Sequence, residues 1–74
     1  MNRVPVISSN VVAVGYIEST HTLEIEFKHG LIYRYFQVPV SVYQGLISAS
    51  ARGESVGRFL DQNVKKAGYQ YTKL

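Results

Sequence analysis

The chain has 74 residues, enough for one small domain, and 46% of them are hydrophobic, an ordinary fraction for a folded globule. It has no cysteine, which excludes disulfide bonds and thiolate metal sites. No apolar run approaches the ~20 residues that span a bilayer, and the interrupted start over 1–7 is not typical of a signal peptide. We therefore expect a single domain over 1–74 that is cytoplasmic and has no membrane partner.

The net charge of +3 lies entirely in the second half of the chain. Residues 1–37 contain three basic and three acidic side chains, whereas residues 38–74 contain five basic and two acidic ones. Many small domains carry a net charge of this size, but its concentration in one half favours an anionic partner.

The first half of the chain has the pattern of strands. We expect an irregular lead-in over 1–8, and the β-branched and aromatic residues 11–17 predict a strand. Residues 22–28 alternate between apolar and charged side chains, which indicates a half-buried strand with its glutamates in solvent. A third strand over 31–37 completes an antiparallel meander.

The turn over 28–30 decides which face of the sheet carries Tyr33 and Tyr35. A three-residue loop pairs Phe27 with Leu31 and puts both tyrosines on the apolar face, whereas a two-residue loop puts them beside the glutamates. A lone glycine after a residue other than asparagine favours the three-residue loop.

A first helix is predicted over 42–51. Ser41 and Gln44 have the spacing of a capping box, in which the serine is the N-cap and the glutamine reaches back to it. Gly45 weakens this helix and indicates close packing against the sheet.

A second helix is predicted over 56–66, with Ser55 as its N-cap and an Asp61–Lys65 ion pair on its exposed side. Residues 69–74 add a short C-terminal edge strand or a docked tail. The predicted fold class is therefore α+β, a three-stranded antiparallel β-meander followed by two short helices packed on one face.

The tyrosines give the clearest indication of function. Four of the six stand in Tyr-x-Tyr doublets, Tyr33 with Tyr35 and Tyr69 with Tyr71. Side chains one residue apart on a strand share a face. Aromatic rings stack on unpaired bases while cations contact the phosphates, so the doublets and the basic residues favour RNA or single-stranded nucleic acid as a partner.

Ten residues are predicted to contact nucleic acid because they combine rings with positive charge. They are Tyr33, Arg34, Tyr35, Arg52, Arg58, Lys65, Lys66, Tyr69, Tyr71 and Lys73. A structural interpretation competes with this one. In a small domain without tryptophan, Tyr33 and Tyr35 can fill the core, and Lys65 and Lys66 can simply complement the end of a helix.

No sequence pattern indicates catalysis. His21 and His29 fall in predicted turns with no third metal ligand converging on them. No nucleophile elbow or phosphate-binding loop is present. We therefore expect a non-catalytic module with neither metal nor cofactor.

The order of segments along the chain also points to a family. The relevant residues are Ser9-Asn10, Val14-Gly15-Tyr16, Thr22 to Phe27, Gly30, Tyr33-Arg34-Tyr35, Val38-Pro39, Val42-Tyr43, Leu46, Gly53, Phe59 and Tyr69-Gln70-Tyr71. Over roughly 8–73 the chain resembles the KTSC domain, a small module named after the C-terminus of some lysyl-tRNA synthetases. The resemblance implies that module's fold and the RNA-binding role proposed for the family. Gln70 stands where many members are expected to have proline, which leaves the geometry of the tail open.

Two other functions compete with nucleic-acid binding. An open strand edge over 11–17 could pair with a protein partner or with a second copy in a homodimer. A pocket rimmed by Arg34 and Arg58 could bind a small anion or a nucleotide. Steep salt dependence would favour nucleic acid over a strand-edge interaction.

Overall fold

The computed structural model describes residues 3–74, so the first two residues of the predicted lead-in lie outside the described residues. Five strands form one sheet, and the helices lie in the connection between the fourth and the fifth. The strands are β1 (Val4–Pro5), β2 (Val11–Ile17), β3 (Thr22–Phe27), β4 (Ile32–Tyr35) and β5 (Tyr71–Lys73). They pair antiparallel in chain order. The α+β class is confirmed, whereas the prediction of three strands was an undercount.

The additional strands are the two outer ones. β1 is only two residues long and contains a proline. Proline in a sequence argues against a strand, but an edge strand tolerates it. β1 pairs with β2 through Val4–Val14 and Pro5–Ala13. The prediction that residues 11–17 form an open edge is therefore wrong over this stretch. β5 pairs with β4, which settles the tail as a strand.

The hairpin between β3 and β4 has the predicted three-residue loop. The backbone N–H of Phe27 donates to the carbonyl of Leu31 at 2.7 Å. This register puts Tyr33 and Tyr35 on the apolar face of the sheet, as predicted. The loop has left-handed backbone at His29 (φ 69°) as well as at the glycine after it, and histidine is one of the residues that tolerate this conformation.

Two helices cover the apolar face of the sheet. They are α1 (Val40–Ala51) and α2 (Val56–Leu60), and a π-helical turn over Asp61–Lys65 extends α2. Between helices and sheet lies the core, formed by Val11, Val14, Leu23, Ile25, Tyr35, Val38, Leu46, Val56, Leu60 and Val64. Among residues 3–74, no helix has the length and hydrophobicity needed to cross a membrane.

The two helices begin differently. Pro39 is the N-cap of α1, with the extended backbone (φ −60°, ψ 145°) that proline favours, and no side chain caps this helix. The prediction of Ser41 as N-cap is therefore wrong, because the helix already begins at Val40. The Ser55 cap is confirmed, since its Oγ accepts from the backbone N–H of Arg58 at 3.1 Å.

The π-helical turn changes which lysine reaches Asp61. The backbone N–H of Lys66 donates to the Asp61 carbonyl at 3.1 Å, a spacing of five residues that widens the turn. Lys66 Nζ accordingly lies 3.7 Å from the Asp61 carboxylate, and the predicted Asp61–Lys65 pair does not form. Lys65 instead lies over the ring of Phe27, with Nζ 5.4 Å from the ring centroid.

An ion-pair network lies on the face of the sheet opposite the helices. Glu24 accepts from Arg3 Nε at 3.0 Å and from Arg34 Nε at 3.1 Å, and Arg3 also reaches Glu26 at 3.3 Å. Glu24 is only 2% exposed, so its prediction as a solvated side chain is wrong. The hydrogen bond from Arg3 lowers the pKa of Glu24 against the opposing effect of burial, and Arg34 lowers it further.

We expect Glu24→Gln to lower the free energy of unfolding by about 1–3 kcal/mol at pH 7, because two guanidinium groups lose a charged partner. The pKa of Glu24 is lowered in the folded protein. The contribution of its ionised form to stability is therefore complete above pH 4.5, the ordinary pKa, and is lost as the pH falls through the lowered pKa of the folded state. Urea unfolding of both proteins between pH 7 and pH 3 measures the difference, which should shrink at acid pH.

Glu54→Gln is the matched control for this prediction. Glu54 makes the same kind of pair with Arg52 at 3.0 Å, but it is 57% exposed, so its loss should leave the unfolding free energy almost unchanged. Equal effects of the two substitutions, or a Glu24 effect independent of pH, would contradict the role of Glu24 as a buried, ionised partner of Arg3 and Arg34.

Gly45 makes its close contact with α2, not with the sheet as predicted. A Cβ at this position would lie 2.8 Å from Cζ of Phe59. We expect Gly45→Ala to destabilise the protein by about 1–3 kcal/mol through overpacking, despite the higher helix propensity of alanine.

Gly57→Ala is the control, because a Cβ there meets only Asn10 Oδ1 at 3.4 Å. We expect it to stabilise the protein by up to about 1 kcal/mol. Thermal and urea unfolding measure both variants, and a stabilised Gly45→Ala protein would refute the close packing.

Candidate functional site

A cleft of about 670 Å³ opens between the apolar face of the sheet and the π-helical turn. The segment before β2, the β3–β4 hairpin, β4, the π-helical turn and the C-terminal segment all contribute to it. We call it the tyrosine cleft. Its lining residues are Ser9, Asn10, Phe27, Lys28, His29, Leu31, Tyr33, Tyr35, Val64, Lys65, Tyr69 and Tyr71.

Both tyrosine doublets converge on this cleft. Tyr35 and Tyr71 are cross-strand partners on β4 and β5, with ring centroids 5.5 Å apart. Tyr33 stacks on Tyr35 at 6.3 Å and on Tyr71 at 5.7 Å, and Phe27 meets the Tyr33 ring edge-on at 5.7 Å. The C-terminal strand therefore brings together aromatic residues that are far apart in sequence.

The rings in the cleft differ widely in exposure. Tyr35 is 5% exposed and belongs to the core, which confirms the structural interpretation for this ring. Tyr71 is 60% exposed, and Tyr33 and Tyr69 are half-buried. Tyr71 is thus the most exposed ring of the cleft.

Tyr35 lines the cleft although the residue is largely buried. Tyr16 donates its hydroxyl to the carbonyl of Val38, but no such bond within residues 3–74 engages Tyr35. Among the described residues, no fully buried side-chain polar atom lacks a partner, so the Tyr35 hydroxyl retains some exposure. Burial raises the pKa of Tyr35, with smaller effects from Tyr33 and Tyr71, so the phenol is a proton donor at neutral pH.

Basic side chains contribute to the lining of the cleft. Lys28, His29 and Lys65 contribute to the lining, and none of the described lining residues is acidic. The backbone N–H of Lys28 donates to the carbonyl of Asn10 at 3.0 Å, which ties the hairpin to the segment before β2. The cleft therefore combines aromatic walls with a positively charged rim.

Half of the predicted contact residues come together at this cleft. Tyr33, Tyr35, Lys65, Tyr69 and Tyr71 line it. Lys73 does not line it, but it pairs with Tyr33 in the β4–β5 register, so its side chain leaves the same face of the sheet.

The remaining predicted cations lie elsewhere. Arg34 is on the opposite face of the sheet, Arg52 pairs with Glu54, and Lys66 pairs across the π-helical turn. Arg58 lines a separate, smaller depression beside α2. These four cations form no common surface with the tyrosines, and the predicted pocket rimmed by Arg34 and Arg58 is wrong.

Four polar lining residues were not predicted as site residues. Lys28 and His29 were interpreted as a solvated turn, although their place just before the Tyr33–Tyr35 strand puts them beside those rings. Ser9 and Asn10 lie between the predicted lead-in over 1–8 and the strand predicted over 11–17. Only their part in the family resemblance distinguished them.

The structure places the two histidines in separate turns, with left-handed backbone at His21 (φ 52°) and His29 (φ 69°). Across residues 3–74 no group of three or more histidine, aspartate or glutamate side chains lies close enough to hold a metal ion. The described residues that line the cleft supply aromatic rings, phenol hydroxyls, an imidazole and ammonium groups.

Comparison with known proteins assigns the fold to a family. The model of the KTSC domain matches residues 7–71. The chain belongs to the KTSC domain family. The crystal structure of a KTSC domain protein from Yersinia pestis superposes on this chain with a TM-score of 0.82 and 36% sequence identity. The match covers 99% of this chain and 96% of the Yersinia pestis chain. The resemblance predicted from the sequence is confirmed.

Two relatives show that the matching region occurs in chains of very different length. A protein of unassigned function from Stutzerimonas stutzeri (strain A1501) is 38% identical over 74 residues, which cover 100% of this KTSC domain and 99% of the relative. A lysine–tRNA ligase from Nostoc punctiforme is 40% identical over 51 residues, which are 69% of this chain but only 9% of the ligase.

We expect Tyr35→Phe to change the unfolding free energy by less than about 0.5 kcal/mol, because its hydroxyl has no hydrogen-bond partner among residues 3–74 to lose. Tyr16→Phe, the matched control, should cost about 1 kcal/mol, since it removes the hydrogen bond to the Val38 carbonyl. Urea unfolding at pH 7 compares the two. A large loss in Tyr35→Phe would show that this hydroxyl is engaged by the protein.

Proposed function

We propose that this KTSC domain is a non-catalytic, cytoplasmic module that binds RNA or other single-stranded nucleic acid in the tyrosine cleft. The observation that carries the proposal is the convergence of both tyrosine doublets with Lys28 and Lys65 on one concave surface, where no described lining residue has a carboxylate. Rings for bases and cations for phosphates are the two requirements of single-strand recognition.

Tyr71 supplies the best stacking surface in the cleft. Its ring is 60% exposed, and Tyr33 supports it from one side at a centroid distance of 5.7 Å. A base stacked on such a ring contributes about 1–3 kcal/mol, and any base has a face that can stack. The contact favours unpaired bases without selecting a sequence.

Three lysines are placed to contact phosphates. Lys28 and Lys65 line the cleft, and Lys73 leaves the sheet face beside it. For single strands the logarithm of the binding constant falls with the logarithm of salt concentration by about 0.7 per phosphate contact, so three contacts give a slope of about −2.

The relatives support RNA as the first ligand to test. One of them is a lysine–tRNA ligase, whose name specifies an RNA, and its matching segment is 40% identical to this chain. The inference for this KTSC domain remains the binding of an RNA strand and not the ligase reaction.

We expect a short oligoribonucleotide to shift the amide signals of residues around Tyr33, Lys65 and Tyr71 in a titration of labelled protein. Lys65→Glu should weaken binding by about tenfold or more, which is about 1.4 kcal/mol, and it should reduce the salt slope. The titration is repeated at two salt concentrations to obtain that slope.

Lys66→Glu is the matched control, because it makes the same charge change one residue away, outside the cleft lining. It should weaken binding much less than Lys65→Glu. If no signal moves at low salt and high ligand, or if both variants lose affinity equally, binding in the tyrosine cleft is refuted.

A further inference from the structure

We propose that the tyrosine cleft takes one unpaired nucleotide, with its base among the rings and its phosphate on the lysine rim. This inference rests on the proposed function and specifies its ligand. A sequence with two tyrosine doublets suggests a series of stacking platforms for successive bases, but the arrangement of the rings contradicts that picture.

Three of the four doublet tyrosines form one cluster instead of a ladder. The centroids of Tyr33, Tyr35 and Tyr71 are 5.5–6.3 Å from one another, so each ring is covered in part by the other two. Tyr35 is 5% exposed and offers no free face to a base. These three rings therefore provide a single stacking surface, centred on Tyr71, whereas Tyr69 is half-buried and packs against the core.

The size of the cleft agrees with one nucleotide. Its volume of about 670 Å³ lies in the range of about 300–1,000 Å³ that is typical of sites for one small molecule. Such sites are mainly apolar and aromatic and have a few polar groups that fix orientation, as this one does.

The polar groups are distributed as a nucleotide requires. Tyr35 lines the aromatic part of the cleft, and its hydroxyl, which is not fully buried, is the group that can hydrogen-bond a base edge or a ribose hydroxyl. The ammonium group of Lys65 lies over Phe27, 5.4 Å from its centroid, and Lys28 follows Phe27 in the chain. Both lysines line the cleft, and Lys65 lies beside the aromatic cluster through Phe27, which meets Tyr33 edge-on, so these cations can contact the phosphate of a stacked nucleotide.

A free mononucleotide and an unpaired nucleotide within an RNA share this chemistry. A length series distinguishes the two sources. Labelled protein is titrated at one ionic strength with inorganic phosphate, with the four ribonucleoside 5′-monophosphates, with the matching nucleosides, and with homopolymeric RNAs of two, four and eight nucleotides.

We expect the monophosphate and the octamer to shift the same cleft residues. After correction for the number of equivalent sites, the octamer should bind less than about tenfold more tightly than the monophosphate, because the additional nucleotides find no second stacking surface. Nucleosides should bind at least about fivefold more weakly than monophosphates, since they lack the charge-assisted contact.

Each alternative result has a separate meaning. Octamer binding with no shift from about 10 mM monophosphate, which would reveal a millimolar Kd, overturns the single-nucleotide site but leaves RNA binding intact. Monophosphate binding without RNA binding refutes the proposed function and leaves a nucleotide pocket. Failure of every ligand overturns both, and equal shifts from inorganic phosphate overturn the role of the base.

Two substitutions separate the parts of the ligand. Lys65→Gln should reduce monophosphate affinity about fivefold or more and leave nucleoside affinity unchanged, because it removes a phosphate contact. Tyr71→Leu should reduce both affinities about tenfold or more. Because Tyr71 is 60% exposed, its substitution should leave the core intact. An unchanged amide spectrum away from the cleft verifies that the variant is folded. Losses in the opposite pattern would contradict the placement of base and phosphate.

Discussion

The register of the β3–β4 hairpin is the constraint on which the rest of the structure depends. A loop of three residues pairs Ile25 with Tyr33 and Leu23 with Tyr35, so the tyrosines face the helices and Arg34 faces the other side. A shift of one residue would exchange those faces, burying a guanidinium group and exposing the rings. The aromatic cluster and the ion pairs around Glu24 are therefore two results of one turn.

The π-helical turn adapts the helical layer to this sheet. A regular α-helix would direct Lys65 towards Asp61, whereas the five-residue spacing gives that role to Lys66. Lys65 is then free to lie against Phe27, at the rim of the tyrosine cleft. One irregular turn separates a lysine with a local carboxylate partner from a lysine available to a ligand.

The sequence predicted the fold where local patterns agree with tertiary packing. The alternation over 22–28, the hairpin loop and the Ser55 cap all follow from rules that act within a few residues. The strand β1 could not be predicted because it contains a proline, and the tail was left open between an edge strand and a docked segment because β5 has no period of its own. Their pairing depends on neighbours already in place. The burial of Glu24 was missed for the same reason, since its partner Arg3 is distant in sequence.

The position of Tyr71 on the last strand links recognition to local order. β5 is an edge strand of three exposed residues, attached at its ends by Phe36 N–H to the Gln70 carbonyl and Leu74 N–H to the Ile32 carbonyl. Short edge segments of this kind open at far lower cost than a core strand. A ligand that stacks on Tyr71 would also stabilise the pairing of β5, the strand that bears this ring. Ligand binding and fraying of β5 are therefore thermodynamically linked, and each disfavours the other.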